Sequence, residues 1–228
     1  MTEIQTYVII PAFNESASIG KVIRDIPKQL IREIIVINNG STDDTAMLAE
    51  NEGATVLTEP RRGYGNACLK GIDYLKNKTQ APDIIVFLDG DYSDFPQKMN
   101  ALMQPIIQEN HDLVIGSRSQ PQRNALLPQQ ILGNWLATKL IYFLYGIKFT
   151  DLGPFRAIRW QALMEMNMQD KTFGWTAEMQ VKAAKLKLKC VEVPVNYRKR
   201  VGVSKISGTL KGTVGAGYKI LSTIFKNL

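Results

Sequence analysis

Hydrophobic positions follow two alternating rhythms along the first half of the chain. Short apolar runs at residues 7–10, 34–37, 54–57, 83–88 and 113–116 have the length and β-branched content of strands, several of them buried on both faces. Between them, apolar residues recur at helical spacing. Ile19, Val22, Ile23 and Ile26 share one face, behind Ser16 or Ser18 as caps. Further helices are predicted from Thr42 or Asp43 to about Asn51, from the Arg61–Gly65 stretch to about Leu75, and from about Phe95 to Glu109. Strands alternating with helices predict βαβ units with right-handed crossovers: an α/β fold, a mostly parallel sheet with helices on both faces.

The second half reads differently. Residues 131–145 are apolar nearly all round, as in a core helix or one lying on a membrane surface. A strand at 155–158, a short helix at 160–166, an amphipathic helix at 176–188 and a strand at 190–195 follow. A basic, glycine-containing loop at 198–207 precedes a closing helix from about 209 to 225. Tyr142, Phe143 and Tyr145, and Tyr218, Ile220 and Phe225 with Lys219 and Lys226, suit either a core or a bilayer interface.

Composition changes this picture little. The 228 residues suffice for one large domain, and 45% hydrophobic and 21% charged content is that of a globular protein. A net charge of +7 favours anionic partners without choosing among them. The basic residues are dispersed and lack the stacking aromatics of a single-strand platform, so nucleic acid is not expected as a partner. Cys68 and Cys190 form no metal or redox motif and read as reduced, buried cysteines. The N-terminus runs straight into a strand without a signal-peptide pattern, and no run of about 18 apolar residues occurs, which predicts a cytoplasmic chain without a membrane span.

The candidate chemistry begins where the run at 84–88 meets Asp89-Gly90-Asp91. Ligands of open α/β sheets sit at the carboxyl ends of strands. The intervening glycine lets two carboxylates approach a common point, where hard oxygens suit Mg²⁺ or Mn²⁺. Read alone, the same residues also make an ordinary turn. A dinucleotide-binding glycine fingerprint is absent after the first strand, where Pro11-Ala12-Phe13-Asn14-Glu15 stands instead.

Six motifs in order carry a resemblance: residues 8–15, Asn39-Gly40-Ser41-Thr42-Asp43, Leu88-Asp89-Gly90-Asp91, Gly116-Ser117-Arg118, Thr150-Asp151 with Gly153 and Phe155-Arg156, and Arg200 with Gly202, Ser204 and Lys205. Together they resemble the family 2 glycosyltransferases of GT-A fold, and within them the polyprenyl-phosphate (dolichyl-phosphate) mannose and glucose synthases. The resemblance implies a GT-A domain over residues 1–207, with a nucleotide-sugar and metal half (1–118) and an acceptor half (119–207), followed by an amphipathic helix at 208–228. It implies an inverting, metal-dependent transfer of a hexosyl unit from a nucleotide diphosphate sugar to a polyprenyl phosphate. Pro11, Phe13 and Glu15 would hold the nucleoside, Asn38 and Asn39 the base edge, and Asp89 and Asp91 the metal on the diphosphate. Arg61 or Arg62 with the Gly63–Gly65 backbone would add phosphate contacts.

Asn38-Asn39 replaces a usual pair of aspartates, and an amide matches uracil better than guanine; this tilts the donor from GDP towards UDP. Ser93, Asp94 or a water would complete the metal shell. A phosphate monoester is already an anion at neutral pH, so the acceptor needs cations: Arg118, Arg200, Ser204 and Lys205 are the candidates, with Arg156 beside them. A sugar or lipid hydroxyl acceptor would instead need a base, and Glu178 holds that place in the family pattern. Asp91, Glu178 and Arg118 are thus the expected catalytic residues. Asp151 is read as a cap or a partner of Arg156. A non-catalytic nucleotide-sugar-binding protein is the further alternative. The lipid implies peripheral contact with the cytoplasmic face of a membrane, and a homo-oligomer is compatible with the pattern.

Overall fold

The computed structural model describes residues 4–123, 125–202 and 210–227. Each apolar run of the first half forms a strand: β1 (Thr6–Ala12), β2 (Glu33–Asn38), β3 (Thr55–Thr58), β4 (Ile84–Phe87) and β5 (Leu113–Pro121). The helices between them are α1 (Ile19–Asp25), α2 (Thr45–Asn51), α3 (Tyr64–Lys76) and α4 (Met99–Glu109). Beyond them come α5 (Pro128–Tyr145), β6 (Arg156–Arg159), α6 (Trp160–Met166), α7 (Trp175–Lys185), β7 (Cys190–Tyr197) and α8 (Leu210–Lys226).

The seven strands form one sheet in the order β3-β2-β1-β4-β6-β5-β7. The pairs β1–β2, β2–β3, β1–β4 and β5–β7 are parallel, while β6 runs antiparallel to both β4 and β5. Successive side chains of a strand point to opposite faces, and both faces are covered. Ile9, Ile35, Ile85 and Phe87 pack with Cys68, Ile72, Ile141 and Trp175 on one side. Val8, Ile10, Val36 and Val86 pack with Val22, Ile23, Leu102 and Ile106 on the other. Neighbouring strands β1 and β4 lie where the order reverses, so the crevice beyond their carboxyl ends is the natural ligand site.

Local expectations and structure part in a few places. Strand β5 continues past residue 116 because β7 pairs with it as far as Pro121–Tyr197, across an irregularity between Ser117 and Gln120. Ser18 does precede α1, but its hydroxyl donates to Glu15 rather than capping the helix. Both cysteines are free, Cys68 buried and Cys190 only partly so. Helix α5 is not a core helix: only Ala137, Thr138 and Ile141 are buried, while Leu132, Trp135 and Phe143 are exposed. Among the described residues, no helix is long and apolar enough to cross a membrane.

Candidate active site

The loops after β1, β2 and β3 are tied to one another by side-chain hydrogen bonds. Asn14 adopts a left-handed backbone (φ 53°); its N–H donates to Ser41 Oγ, and its Oδ1 accepts from Thr42 N–H at 2.8 Å. Glu15 N–H donates to Thr45 Oγ1 at 2.8 Å. Asn39, expected to read a base edge, is engaged otherwise. Its Nδ2 donates to the carbonyls of Glu59 and Arg61, and its Oδ1 accepts from Gly63 N–H. That amide ties the loop after β2 to the loop after β3, with both of its N–H donors and one oxygen lone pair spent there. Asn38 accepts from Ser41 N–H through Oδ1.

The two loop arginines also divide. Arg61 forks onto Glu59, and chiefly that hydrogen bonding holds the Glu59 carboxyl down at about 2. Arg62 instead lies over the Phe13 ring, 3.7 Å from its centroid. The expected phosphate contacts from the Gly63–Gly65 backbone are replaced by packing. A Cβ on Gly63 would stand 2.2 Å from the Lys171 carbonyl oxygen, and one on Gly65 1.9 Å from that of Asp170. Glycine is needed there because backbone meets backbone.

At the end of β4, Asp89 and Asp91 face one cavity. Asp89 Oδ1 is buried without a hydrogen-bond partner among the described residues. Burial, then the charge of Asp91, pushes the Asp89 carboxyl up to about 7. Asp91 accepts from Ser93 N–H (2.9 Å) and Ser93 Oγ (2.5 Å) through Oδ1, and pairs with Arg200 through Oδ2. An orphaned carboxylate oxygen beside a second carboxylate is a donor set that fits a hard divalent cation. Among the described residues no cluster of three metal-ligating side chains exists, so such an ion would draw its remaining ligands from a diphosphate and water. Ser93 is committed to Asp91. Asp94 is buried with both oxygens unpartnered among the described residues. Burial first, then the charges of Asp89 and Asp91, hold its carboxyl well above the usual range.

The basic loop is stitched to these aspartates. Arg198 N–H donates to the Ser93 carbonyl and Val201 N–H to that of Asp91. The Arg198 guanidinium donates to the Tyr92 and Asp94 carbonyls and stacks 3.4 Å from the Tyr92 ring centroid. Tyr92, at φ 63°, takes a conformation rare for an aromatic residue. Ser204 and Lys205 lie outside the described residues.

On the acceptor side, Asp151 partners Arg118, not Arg156. Arg118 Nε donates to Asp151 Oδ2 at 2.8 Å and Nη2 to Oδ1 at 2.5 Å. Arg156 is buried; its Nε donates to the Gly153 carbonyl and its Nη1 to that of Thr176, while Nη2 has no partner among the described residues. Glu178 does not face the cavity. Its two oxygens accept from Gln169 N–H (2.9 Å) and Asp170 N–H (2.7 Å), and Lys182 pairs with it at 2.7 Å. This carboxylate fixes the backbone of residues 169 and 170, at the start of the Asp170-Lys171 segment that packs on Gly65 and Gly63. Glu178→Gln is therefore expected to destabilise the protein by about 1–3 kcal/mol, since an amide cannot accept with both ends. Its melting temperature should fall while the turnover of the folded fraction stays within a few-fold; a thousandfold loss of turnover with unchanged melting would assign it to catalysis instead.

The cavity, about 370 Å³, thus gathers Pro11, Phe13, Glu15, Asp89, Asp91, Arg118 and Arg200. It leaves out Asn38, Asn39 and Glu178. It adds Tyr64 and Trp175, which sequence reasoning passed over although Tyr64 stands between Gly63 and Gly65 and Trp175 three residues before Glu178.

Comparison with known proteins follows the same lines. The model described as "Glycosyl transferase family 2" matches residues 7–166. An uncharacterised glycosyltransferase of Mycobacterium tuberculosis is 32% identical over 213 residues, covering 91% of this chain and 92% of that one. A dolichyl-phosphate hexose transferase of Haloferax volcanii is 29% identical over 202 residues, covering 87% and 85%. Among solved structures, glucosyl-3-phosphoglycerate synthase of M. tuberculosis, with Mn²⁺, UDP-glucose and phosphoglyceric acid, superposes with a TM-score of 0.78 at 23% identity, covering 98% of this chain and 79% of that one. That likeness establishes a GT-A fold here.

Proposed function

The chain belongs to glycosyl transferase family 2, and from that premise we propose that it transfers a hexosyl unit from a nucleotide diphosphate sugar, UDP-linked by preference, to a polyprenyl phosphate with inversion. The observation that carries this reading is one cavity where two carboxylates and two arginines converge. The nucleoside would lie against Phe13 and the Arg62 plane stacked on it, with Glu15 accepting from a ribose hydroxyl. Asp89 and Asp91 would hold Mg²⁺ or Mn²⁺. The bound ion supplies Lewis-acid stabilisation of the departing diphosphate.

The chain's own residues account for the rest. Arg200 and Arg118 would orient the acceptor phosphate, Arg118 from a guanidinium already aligned by Asp151. A phosphate oxygen forms the new bond to the anomeric carbon, the bond to the diphosphate breaks, and its electron pair leaves with the nucleotide. No proton moves, so no base is required. The engagement of Glu178 in backbone hydrogen bonds supports this over a hydroxyl acceptor. The dolichyl-phosphate hexose transferase among the relatives supports a lipid phosphate, and the exposed apolar residues of α5 and α8 support peripheral contact with a membrane.

Thermal melting with nucleotide and Mn²⁺ tests the donor. UDP at about 100 times its Kd adds about 2.7 kcal/mol, worth roughly 5–10 °C for a chain of this size. GDP should give less. A larger shift with GDP would reverse the base assignment, and no shift with either would remove the donor site.

A further inference from the structure

The cavity joins the ionic groups around Arg118 and Arg200 to a largely apolar remainder, with Gln129, Gln130 and Asn134 of α5 as its polar part. Beyond Arg118 and Arg200 it is walled by Leu152, Pro154, Phe173 and Trp175, then by Gly133 of α5 and Gly217 of α8. The two helices pack against each other, and α8 is fixed from its second half. Tyr145 Oη donates to the Ile224 carbonyl at 2.7 Å, and Lys219 pairs with Asp170 at 2.9 Å. Its earlier residues Ala216 and Gly217 line the cavity.

Glycine within a helix is destabilising, and its usual excuse is close packing. Neither glycine has that excuse. A Cβ on Gly133 or Gly217 would meet no heavy atom within 4 Å. Each therefore leaves open space facing the cavity. On the same two helices, Leu132 and Trp135 of α5 are 64% and 55% exposed, and Val214 and Tyr218 of α8 are 64% and 75% exposed. The passage runs from two guanidinium groups to an apolar surface. A small polar phosphate would fill only its inner end; an amphiphile with a phosphate head and hydrocarbon tail matches its whole length.

We propose that the passage between α5 and α8 seats the first isoprene units of the acceptor's tail, with Gly133 and Gly217 setting its width. This rests on the phosphate-acceptor reading above and adds a tail subsite to it. A seated tail makes turnover depend on chain length, because each further buried methylene multiplies affinity about fourfold.

The test is kcat/KM for ethyl, hexyl and citronellyl phosphate, and for phosphoglyceric acid, with UDP-hexose and Mn²⁺ below the aggregation concentration of each acceptor. In the parent protein, kcat/KM should rise by about a hundredfold or more from ethyl to citronellyl phosphate. Gly133→Leu and Gly217→Leu should lower kcat/KM for citronellyl phosphate at least tenfold more than for ethyl phosphate. The melting shift on adding UDP with Mn²⁺ reports that each variant retains a folded donor half. Equal turnover of ethyl phosphate, phosphoglyceric acid and citronellyl phosphate would overturn the tail subsite and leave a phosphate acceptor standing. A parent chain-length dependence that both leucine variants preserve would also overturn it. Donor binding without glycosylation of any phosphate monoester would overturn the acceptor reading itself, and the subsite with it.

Discussion

Asp91→Asn is expected to lower kcat by about a thousandfold, with the fold intact. Removing one preorganised electrostatic contact to a developing charge typically costs 10²–10³ in rate, and Asp91 would hold the cation on which the leaving diphosphate depends. Folding should tolerate the change. Asn keeps an oxygen for Ser93 N–H and Oγ, and removing a carboxylate charge relieves Asp89 and Asp94, both pushed up by Asp91. The loss is the ion pair to Arg200, whose side chain is 28% exposed and can be rehydrated. Two measurements separate site from scaffold: kcat at saturating donor, and Mn²⁺ affinity by water-proton relaxation with UDP present. Turnover within tenfold of the parent at unchanged Mn²⁺ affinity would remove Asp91 from the site.

Asp151→Asn should instead strike stability. Asp151 is 5% exposed and accepts three hydrogen bonds from Arg118, one from its backbone N–H and two from its guanidinium. Breaking a buried pair from one side leaves an uncompensated charge, at about 3–5 kcal/mol. For a chain of this length that lowers Tm by roughly 10 °C. Burial alone would raise the Asp151 carboxyl, but hydrogen bonding and charge from Arg118 outweigh it and hold it below its ordinary value of 3.8. A depressed carboxylate contributes stability that is present above that ordinary value and is lost as pH falls through the lowered one. The gap in Tm between parent and variant should stay constant from pH 7 to 5 and narrow below about 4. A gap unchanged down to pH 3 would show that the pair is not the cause. Turnover should fall too, because Arg118 loses the partner that aligns it.

Much of this was legible in the chain itself. Strands β1, β2 and β4 are built on short, nearly continuous apolar runs whose burial follows from composition, and α6 falls on its predicted residues. Asp89 and Asp91 follow such a strand directly, so their position at the sheet's carboxyl edge needed only the βα alternation. Phe13 and Glu15 follow for the same reason.

What stayed hidden is the choice of partners. Asn39, Arg61, Glu178 and Arg118 all carry groups suited to a ligand, and motif position treated them alike. Asn39 binds three backbone groups of the loop after β3, Arg61 turns to Glu59, Glu178 holds residues 169–170, and Arg118 is engaged by Asp151. The Arg118–Asp151 pairing joins residues 33 apart in sequence, and it exists because β6 inserts antiparallel between β4 and β5 and brings the 150s beside the 118 loop. The other three are made within or between neighbouring loops, where any of several polar groups was in reach. Apolar periodicity encodes which face of an element is buried, a local property. Which polar group meets which depends on strand order, and that is decided only when the whole sheet closes.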